Sequence, residues 1–330
     1  MGVKLGESRI IPATCRFIGE EAEICFIVPF MPKRESLPVS LVGCDCVPSM
    51  RSEKTGRGVD IFLRGKKYTE YCTGTDIAKP YLGPFFDGFG TQLTRLDFET
   101  KEHRHHRSLW ISHGSVNDVD TWNEAEGTHG FERSMELRDF VNGCAYTAFT
   151  AVNRWTDFNG NPLLDETTRY TLYNTPDEAV LLDVEISLKA SYGPVTLGRT
   201  KEAGVLAIRM AENLKVKNTG TMISGTGGVN ESEIWMKRAP WMDYYGTENG
   251  HVCGIAVLDN PKNENFPTYW HSRDYGLMAP NNFFIPGPRA LAREETICWL
   301  YRVIFHSGDT AAADIASKFA DFAFPAVVTG

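Results

Sequence analysis

Four of the chain's eight histidines lie within a stretch of eleven residues, at His103, His105, His106 and His113. Imidazole has an unperturbed pKa close to neutrality and is the commonest metal ligand in proteins. In a chain otherwise poor in histidine, such a group predicts acid–base or metal chemistry. The alternative is a solvent-exposed polar loop in which one histidine is merely packed.

A second dense group of bases, acids and aromatic residues occupies residues 269–276. His271 and Asp274 could complete a ligand set or act as an acid–base pair, with Arg273 stabilising an oxyanion. A structural Arg–Asp ion pair is the alternative. Two such groups at distant positions predict a single site that is assembled by folding.

Two further segments could contribute to that site. Residues 198–204 place Lys201 and Glu202 between two glycines. The Glu202 carboxylate could be a metal ligand or a general base. The alternative is a surface ion pair between Glu202 and Lys201. Residues 224–244 are rich in glycine but lack the order of a phosphate-binding loop. In that segment Trp235 and Trp241 alternate with charged residues, which is typical of a sugar platform and equally of a sandwich core.

The rest of the chain indicates the elements that must position these residues. Short alternating runs between turn residues are typical of β-strands. Asn159-Gly160 is a strong hairpin signal, and only residues 309–322 have helical spacing, before Pro325. We therefore predict a mainly β fold, a large antiparallel β-sandwich with a C-terminal helix. The predicted strands are 23–28, 37–42, 58–64, 92–98, 144–155, 167–173, 179–190, 206–210, 252–258 and 299–305.

Composition narrows the class of protein. The chain has 330 residues, 42% of them hydrophobic, and a formal net charge of −8, which disfavours a nucleic-acid partner. It contains neither a stretch long enough to span a bilayer nor a signal peptide, so we expect no membrane association and a cytoplasmic location.

The eight cysteines include Cys44 and Cys46, whose spacing is too short for a structural zinc site. We expect free, buried thiols.

Taken together, the four segments resemble a bacterial and fungal domain family that is named PmoA-like after methane oxygenase. The resemblance covers roughly residues 79–305, in a chain that reads as one domain with N-terminal strands (1–78) and a C-terminal helix and tail (306–330). Arg104 and Ser108 depart from the family's usual proline and glycine. The matching motifs are Lys79-Pro-Tyr-Leu, His103-x-His-His-Arg-x-Leu-Trp, Val116-Asn-Asp-Val-Asp-x-Trp, Thr200-Lys-Glu-x-Gly, Gly227-Gly, Trp235-x-Lys-Arg-Ala-x-Trp and Pro267-Thr-Tyr-Trp-His-x-Arg-Asp-Tyr-Gly, each written from its first residue.

This resemblance implies a supersandwich like that of galactose mutarotase and other aldose epimerases, and a role in cleaving or isomerising 3-keto-glycosides. In that chemistry a base removes the C2 proton, and a metal or cationic donors stabilise the enolate. The implied metal ligands for Mn, Ca, Mg or Zn are His105, Glu202 and His271. The implied catalytic residues are His106, Lys201, Arg273 and Asp274, and the implied substrate contacts are His103, Trp110, Asn117, Trp122, Lys237, Trp241 and Tyr269.

Two rival functions remain open at this point. A mutarotase needs only a histidine acid and a carboxylate base, without a metal. A non-catalytic carbohydrate-binding protein would account for the aromatic residues but not for the density of histidines. In each case we expect a small carbohydrate as the partner, and the sequence leaves a homo-oligomer open.

Overall fold

The computed structural model describes residues 1–6, 9–28, 36–96, 102–202, 204–327 and 329. Within these ranges the chain forms 23 β-strands, all paired antiparallel where they pair, two α-helices and one 3-10 turn. The predicted mainly β fold with antiparallel sheets and a C-terminal helix is confirmed. The division of the chain into one domain stays a prediction.

The strands assemble into a four-stranded, an eight-stranded and a seven-stranded sheet, with two small two-stranded ribbons. Their bounds are β1 Gly2–Leu5, β2 Arg9–Ile18, β3 Glu21–Phe26, β4 Val39–Val42, β5 Arg51–Thr55, β6 Gly58–Leu63, β7 Lys66–Cys72, β8 Tyr81–Leu82, β9 Leu109–Ser112, β10 Phe131–Val141, β11 Tyr146–Thr156, β12 Pro162–Tyr173, β13 Ala179–Lys189, β14 Val195–Leu197, β15 Val205–Arg209, β16 Thr221–Ser224, β17 Trp241–Glu248, β18 His251–Asp259, β19 Tyr269–Trp270, β20 Leu277–Met278, β21 Pro280–Asn281, β22 Arg289–Leu291 and β23 Thr296–Ser307. The helices are α1 Asn230–Ile234 and α2 Ile315–Ala323, and the 3-10 turn is Glu212–Leu214.

The two largest sheets form the sandwich. The eight-stranded sheet runs β10-β11-β12-β13-β23-β18-β17-β16, and the seven-stranded sheet runs β20-β15-β9-β8-β7-β6-β5. Leu109 and Ile208 of the seven-stranded sheet share one buried apolar cluster with Val184 and Val303 of the eight-stranded sheet. Burial of this apolar surface is the main favourable contribution to folding.

Alternation along β9 creates a second apolar layer on the outer face of the seven-stranded sheet. Leu109 and Ile111 point into the sandwich core, so Trp110 points outward. There it packs with Trp122, from the following loop, and with Ala207 of β15. This outer face supports the histidine segment.

The prediction missed several strands, among them β2, β7, β10 and β17, and two of the predicted elements differ from the structure. The C-terminal helix begins at Ile315 rather than at residue 309, because the Asp309 carboxylate accepts the backbone N–H groups of Ala311 and Ala312 and holds a turn there. Residues 92–96 of the predicted strand 92–98 form only isolated bridges, through Gln92 and Thr94, and residues 97 and 98 lie outside the described residues.

Two carboxyl groups are buried inside the sandwich, on β10 and β12. Glu166 accepts hydrogen bonds from the indole of Trp155 at 2.9 Å, the amide of Asn153 at 3.1 Å and the hydroxyl of Thr168 at 2.6 Å. Burial raises the pKa of Glu166 and raises that of Glu132 well above its ordinary value, with the charge of Glu166 adding to the shift of Glu132. Both acids therefore favour their protonated forms.

A disulfide joins Cys46 to Cys144, so the expectation of free thiols is wrong for this pair. It links the N-terminal segment to the start of β11 across 98 residues of sequence. Residue spacing had no means of revealing this pairing, because the two cysteines meet only after folding.

We expect reduction of this disulfide to lower the free energy of unfolding by about 2–5 kcal/mol, because the cross-link restricts the unfolded chain. Urea unfolding with and without a reductant measures this difference, and Cys46→Ser is the matched variant. An unchanged unfolding midpoint in both tests would contradict the expectation.

None of the described helices has the length and the apolar character that a bilayer-crossing segment requires. The cytoplasmic location stays a prediction.

Candidate functional site

The histidine segment folds into a tight turn before β9. The backbone N–H of His106 donates to the carbonyl of His103 at 2.9 Å, and His103 itself has a φ of 48°. The turn places four rings in a bent column of near-parallel planes, with centroid distances of 4.8 Å for Tyr275–His103, 4.9 Å for His103–His106 and 4.9 Å for His106–Trp110. Tyr275 also lies beside His106, with a centroid distance of 6.4 Å. Tyr275 comes from the second group of the sequence, so folding brings the two groups together.

The His106 and Trp110 end of this column is the buried one. Tyr275 is half-buried and the His103 side chain is 37% exposed, whereas His106 and Trp110 are 2% and 1% exposed. Trp122, also 1% exposed, packs edge-on against Trp110 with a centroid distance of 5.2 Å. Both tryptophans, predicted to contact substrate, therefore support the column from beneath.

Arg209 of β15 fixes the tautomer of His106. Its Nη1 lies 3.0 Å from Nδ1 of His106, and its guanidinium lies 4.7 Å from the ring centre of Tyr275. An arginine N–H can only donate, so Nδ1 accepts and the neutral imidazole carries its proton on Nε2. Burial, with the nearby His105 and Arg209, lowers the pKa of His106 well below its ordinary value.

His271 has the same arrangement with a different donor. The indole Nε1–H of Trp235 donates to Nδ1 of His271 at 3.0 Å, which again leaves the ring proton on Nε2. Burial lowers the pKa of His271 to about 3, and the charges of Arg273 and Lys201 add to this shift. His271 is therefore also a neutral hydrogen-bond donor.

In this tautomer neither ring nitrogen of His106 or His271 has a free lone pair for a metal ion, because Nδ1 accepts a hydrogen bond and Nε2 carries the proton. A metal-ligating histidine usually donates its second ring N–H to a carboxylate or carbonyl, which frees the other nitrogen for the ion. Within the described part of the chain, no group of three His, Cys, Asp or Glu side chains is placed to hold a metal ion. His105, Glu202 and His271 therefore do not form a ligand set in this structure, and the divalent metal stays a prediction from the sequence.

The other two histidines of the segment face different surroundings. His105 is half-buried, and burial with the nearby Lys79 lowers its pKa to about 4. His113 follows Ser112 on the core side of β9, where its ring contacts Phe283 at a centroid distance of 4.6 Å. Its Nδ1 accepts the backbone N–H of Ser115 at 3.0 Å, so His113 is a packed core residue.

Charged side chains from three segments surround Tyr275. Burial raises the pKa of its phenol; the cations Arg273 and Arg209 oppose the shift, and the carboxylates Glu231 and Glu202 add to it. Arg273 pairs with Glu231 at 3.0 Å, and both side chains are 28% exposed. The structure thus brings the predicted segments together around one partly open site, which we call the histidine site.

Glu202 is a partly exposed carboxylate near Tyr275. Its side chain is 23% exposed, and it pairs with Lys201 at 3.0 Å and accepts the Thr200 hydroxyl at 3.1 Å. Asp274, by contrast, accepts the backbone N–H of Glu231 at 3.0 Å, while Glu231 accepts that of Asp274 at 2.9 Å. The Asp274 carboxylate therefore holds the local backbone together.

Four predicted substrate residues have other surroundings. Asn117 binds the backbone of residues 194 and 196 through its amide, at 3.2 and 2.7 Å. Lys237 is exposed, and Tyr269 lies under the guanidinium of Arg238 at 5.3 Å. Trp241 belongs to a separate apolar cluster with Ile315 of α2, on the outer face of the eight-stranded sheet.

Sequence reasoning assigned no role to Arg209, and it did not include Trp235, Glu231 or Tyr275 among the site residues. A signal for Arg209 was available, since it is a lone arginine in the apolar run 205–210. A charge in such a run is rare unless it is paired.

We expect His106 and His271 to stay neutral, with the proton on Nε2, from about pH 8 to about pH 5. Because both pKa values are lowered, protonation begins only in more acidic solution, near pH 3 for His271. Nitrogen-15 NMR of labelled protein distinguishes the two tautomers. In the urea-unfolded chain the same rings should titrate near about 6.5. A folded-state signal from Nδ1–H would contradict the assignment.

Comparison with solved structures finds fold likenesses at low identity. An α-galactosidase from Lactobacillus brevis is 10% identical with a TM-score of 0.41, over 83% of this chain and 42% of its own. The GH36 α-galactosidase AgaA from Geobacillus stearothermophilus is 11% identical with a TM-score of 0.38, over 79% and 39%. A GalM/aldose epimerase homologue from C. elegans is 7% identical with a TM-score of 0.33, over 79% and 99%. The chain thus spans about two fifths of the galactosidases' length.

No curated protein matches the chain. The family model that does match covers residues 58–320 and describes a family of unknown function, DUF6807. The assignment to a PmoA-like family is therefore wrong, although the match spans the motifs on which that assignment rested. The chain belongs to the family of unknown function DUF6807.

Proposed function

We propose that the protein is a carbohydrate-processing enzyme that removes a proton from the carbon next to a sugar carbonyl. One observation carries the proposal: the buried imidazoles of His106 and His271 each accept an N–H at Nδ1 and so each offer an Nε2–H. Neutral N–H donors fixed in a site with little water stabilise the oxyanion of an enolate.

Glu202 is the proposed base. It is a partly exposed carboxylate, so solvent and substrate can reach it, and Thr200 and Lys201 fix its position. A carboxylate that takes the proton directly typically contributes about 100- to 10,000-fold to a rate. Arg273, which is also partly exposed, adds positive charge where the enolate oxygen would form.

A 3-keto-glycoside fits this set of groups. The C3 carbonyl acidifies the proton on C2, and Glu202 removes it to give the enolate. When the C3 carbonyl re-forms, the enolate electrons form a C1–C2 double bond as the C1–O bond breaks. The departing oxygen takes up the proton that Glu202 removed, which regenerates the carboxylate. Partly exposed rings of Tyr275 and Trp235 beside the charged Arg273 and Glu231 suit a polyhydroxylated ring with apolar faces.

A second function, aldose mutarotation, is favoured by the same pair of groups. The carboxylate would remove the O1 proton, and the ring oxygen, hydrogen-bonded to an Nε2–H, would take up a proton from solvent. No carbonyl is then needed at C3. The two functions differ in which hydrogen exchanges with solvent.

Proton NMR in D2O with 3-keto-glycosides and with free aldoses tests the proposal. We expect deuteration at C2 and release of the aglycone, both unaffected by a chelator because the Nε2 protons occupy the positions a metal would use. Faster anomer exchange alone would identify a mutarotase. Reaction that the chelator abolishes would contradict the metal-free mechanism, and no reaction with any sugar would overturn the proposal.

A further inference from the structure

A separate cleft of about 410 Å³ lies between β17 and the segment that leads into α2. Trp241 and Tyr245 of β17 line one side, and Asp309 and Asp314 line the other. Since Trp241 points away from the sandwich core, the cleft opens on the outer face of the eight-stranded sheet. The histidine site lies beyond the opposite sheet, so the two sites are distinct.

The cleft is negatively charged. The side chains that line it include two carboxylates but no lysine, arginine or histidine. The nearest described cation on α2, Lys318, donates from Nζ to the carbonyl of Ala313 at 2.6 Å and does not line the cleft. A ligand of complementary charge is therefore a cation.

Local structure does not account for both carboxylates. Asp309 accepts the N–H groups of Ala311 and Ala312, at 3.1 and 2.8 Å, and so caps a turn. Asp314 occupies the N-cap position of α2 but makes no capping hydrogen bond, and its φ is 49°. Asp314 is an exposed residue that lines the cleft.

Buried hydrogen bonds fix the floor of the cleft. Asp243, between the two aromatic residues on the same strand face, pairs with Nε2 of His306 at 2.9 Å and accepts the Thr310 hydroxyl at 2.5 Å. Asp243 and His306 are fully buried, and Nδ1 of His306 is buried without a partner among the described atoms. The strand and the segment before α2 are thus held in register.

The cleft is elongated, which limits what can fill it. Trp241 and Tyr245 are four residues apart on one strand, so they are separated by about 13 Å. Ile223 and Ile315 supply apolar surface to the same cleft. This arrangement suits a chain with cationic ends and an apolar middle, since ammonium groups bind both carboxylates and aromatic faces.

We propose that this cleft binds a linear aliphatic polyamine. The ammonium groups pair with Asp309 and Asp314 and lie near the rings of Trp241 and Tyr245, while the methylene segment covers the isoleucines. This site is independent of the proposed enzymatic function.

Isothermal titration of the full chain with α,ω-diaminoalkanes of increasing length tests this inference. We expect one saturable site per chain, an optimum length, and no binding of the diol of matched length. Asp314→Asn and Asp309→Asn should each weaken binding about two- to fivefold, the range of exposed ion pairs. Asparagine keeps the cap and tolerates the positive φ, so both variants should fold.

Asp321→Asn is the matched control, because Asp321 is an exposed acid on the same helix that does not line the cleft. It should leave affinity unchanged, as should Glu202→Gln in the histidine site. Binding that Asp321→Asn weakens equally, binding of the diol, or no saturable binding would overturn the inference. Glu202→Gln affects only the proposed reaction, and the aspartate variants affect only diamine binding. Failure of one proposal can therefore be told apart from failure of the other.

Discussion

Glu202→Gln is expected to lower kcat for C2 proton exchange by about 100- to 10,000-fold, the usual contribution of a positioned general base. The amide has nearly the same shape as the carboxylate but does not accept the proton. Because the side chain is 23% exposed, the change should leave the melting temperature close to that of the wild type. Solvent deuterium incorporation, followed by NMR, measures the rate.

The position of Glu202 makes this test specific. A Cβ on the neighbouring Gly114 would come within 2.9 Å of the Glu202 Cβ, so the loop is closely packed around the side chain. Glu126→Gln is the matched control, since Glu126 is an exposed acid in the loop after Trp122. If Glu202→Gln retained wild-type exchange, another group would be the base and the proposed mechanism would be wrong.

Trp110→Ala is expected to lower the free energy of unfolding by about 3–5 kcal/mol, the typical cost of removing a large aromatic side chain from a core. Trp110 is 1% exposed and packs against His106, Trp122 and Ala207. Its removal would leave a cavity beneath the column. Urea unfolding at neutral pH measures the loss.

The matched variant for Trp110 is Trp235→Ala. Trp235 is only half-buried, so its removal should cost less stability, but it should free Nδ1 of His271 and alter that ring's tautomer. If Trp110→Ala kept wild-type stability and raised only KM, the side chain would contact substrate, as the sequence predicted. Trp110→Ala therefore tests whether this ring supports the site, and Trp235→Ala tests whether its indole sets the tautomer of His271.

Nine of the ten strands predicted from local patterns overlap strands of the structure, because strand alternation is a short-range property. The pairing of strands into sheets, beyond one hairpin, was not predicted. The hairpin at Asn159-Gly160 joins β11 to β12, and Gly160 has a φ of 86°, which glycine readily adopts. The grouping of His103 and His106 with residues near 275 also followed from composition alone. The hairpin requires no knowledge of distant neighbours, and the meeting of the two groups was inferred only from their shared composition.

Features that depend on distant neighbours were not predicted. His113 belongs to the same segment as His106, yet one-residue alternation on β9 turns it into the core. Trp241 has the composition of a sugar platform but lies on the far sheet. The role of Arg209 depends on a hydrogen bond across 103 positions of sequence, and no local pattern reveals such a bond.

The buried carboxyl groups of Glu132 and Glu166 contribute proton uptake to the folding reaction. Burial raises both pKa values above the ordinary 4.5, so above that pH the folded chain holds protons that the unfolded chain has released. The contribution of these groups to the free energy of unfolding therefore falls as pH rises through that range. In calorimetry, the enthalpy of unfolding should then include the ionisation enthalpy of the buffer. Glu132→Gln should reduce that dependence, because glutamine binds no proton in either state.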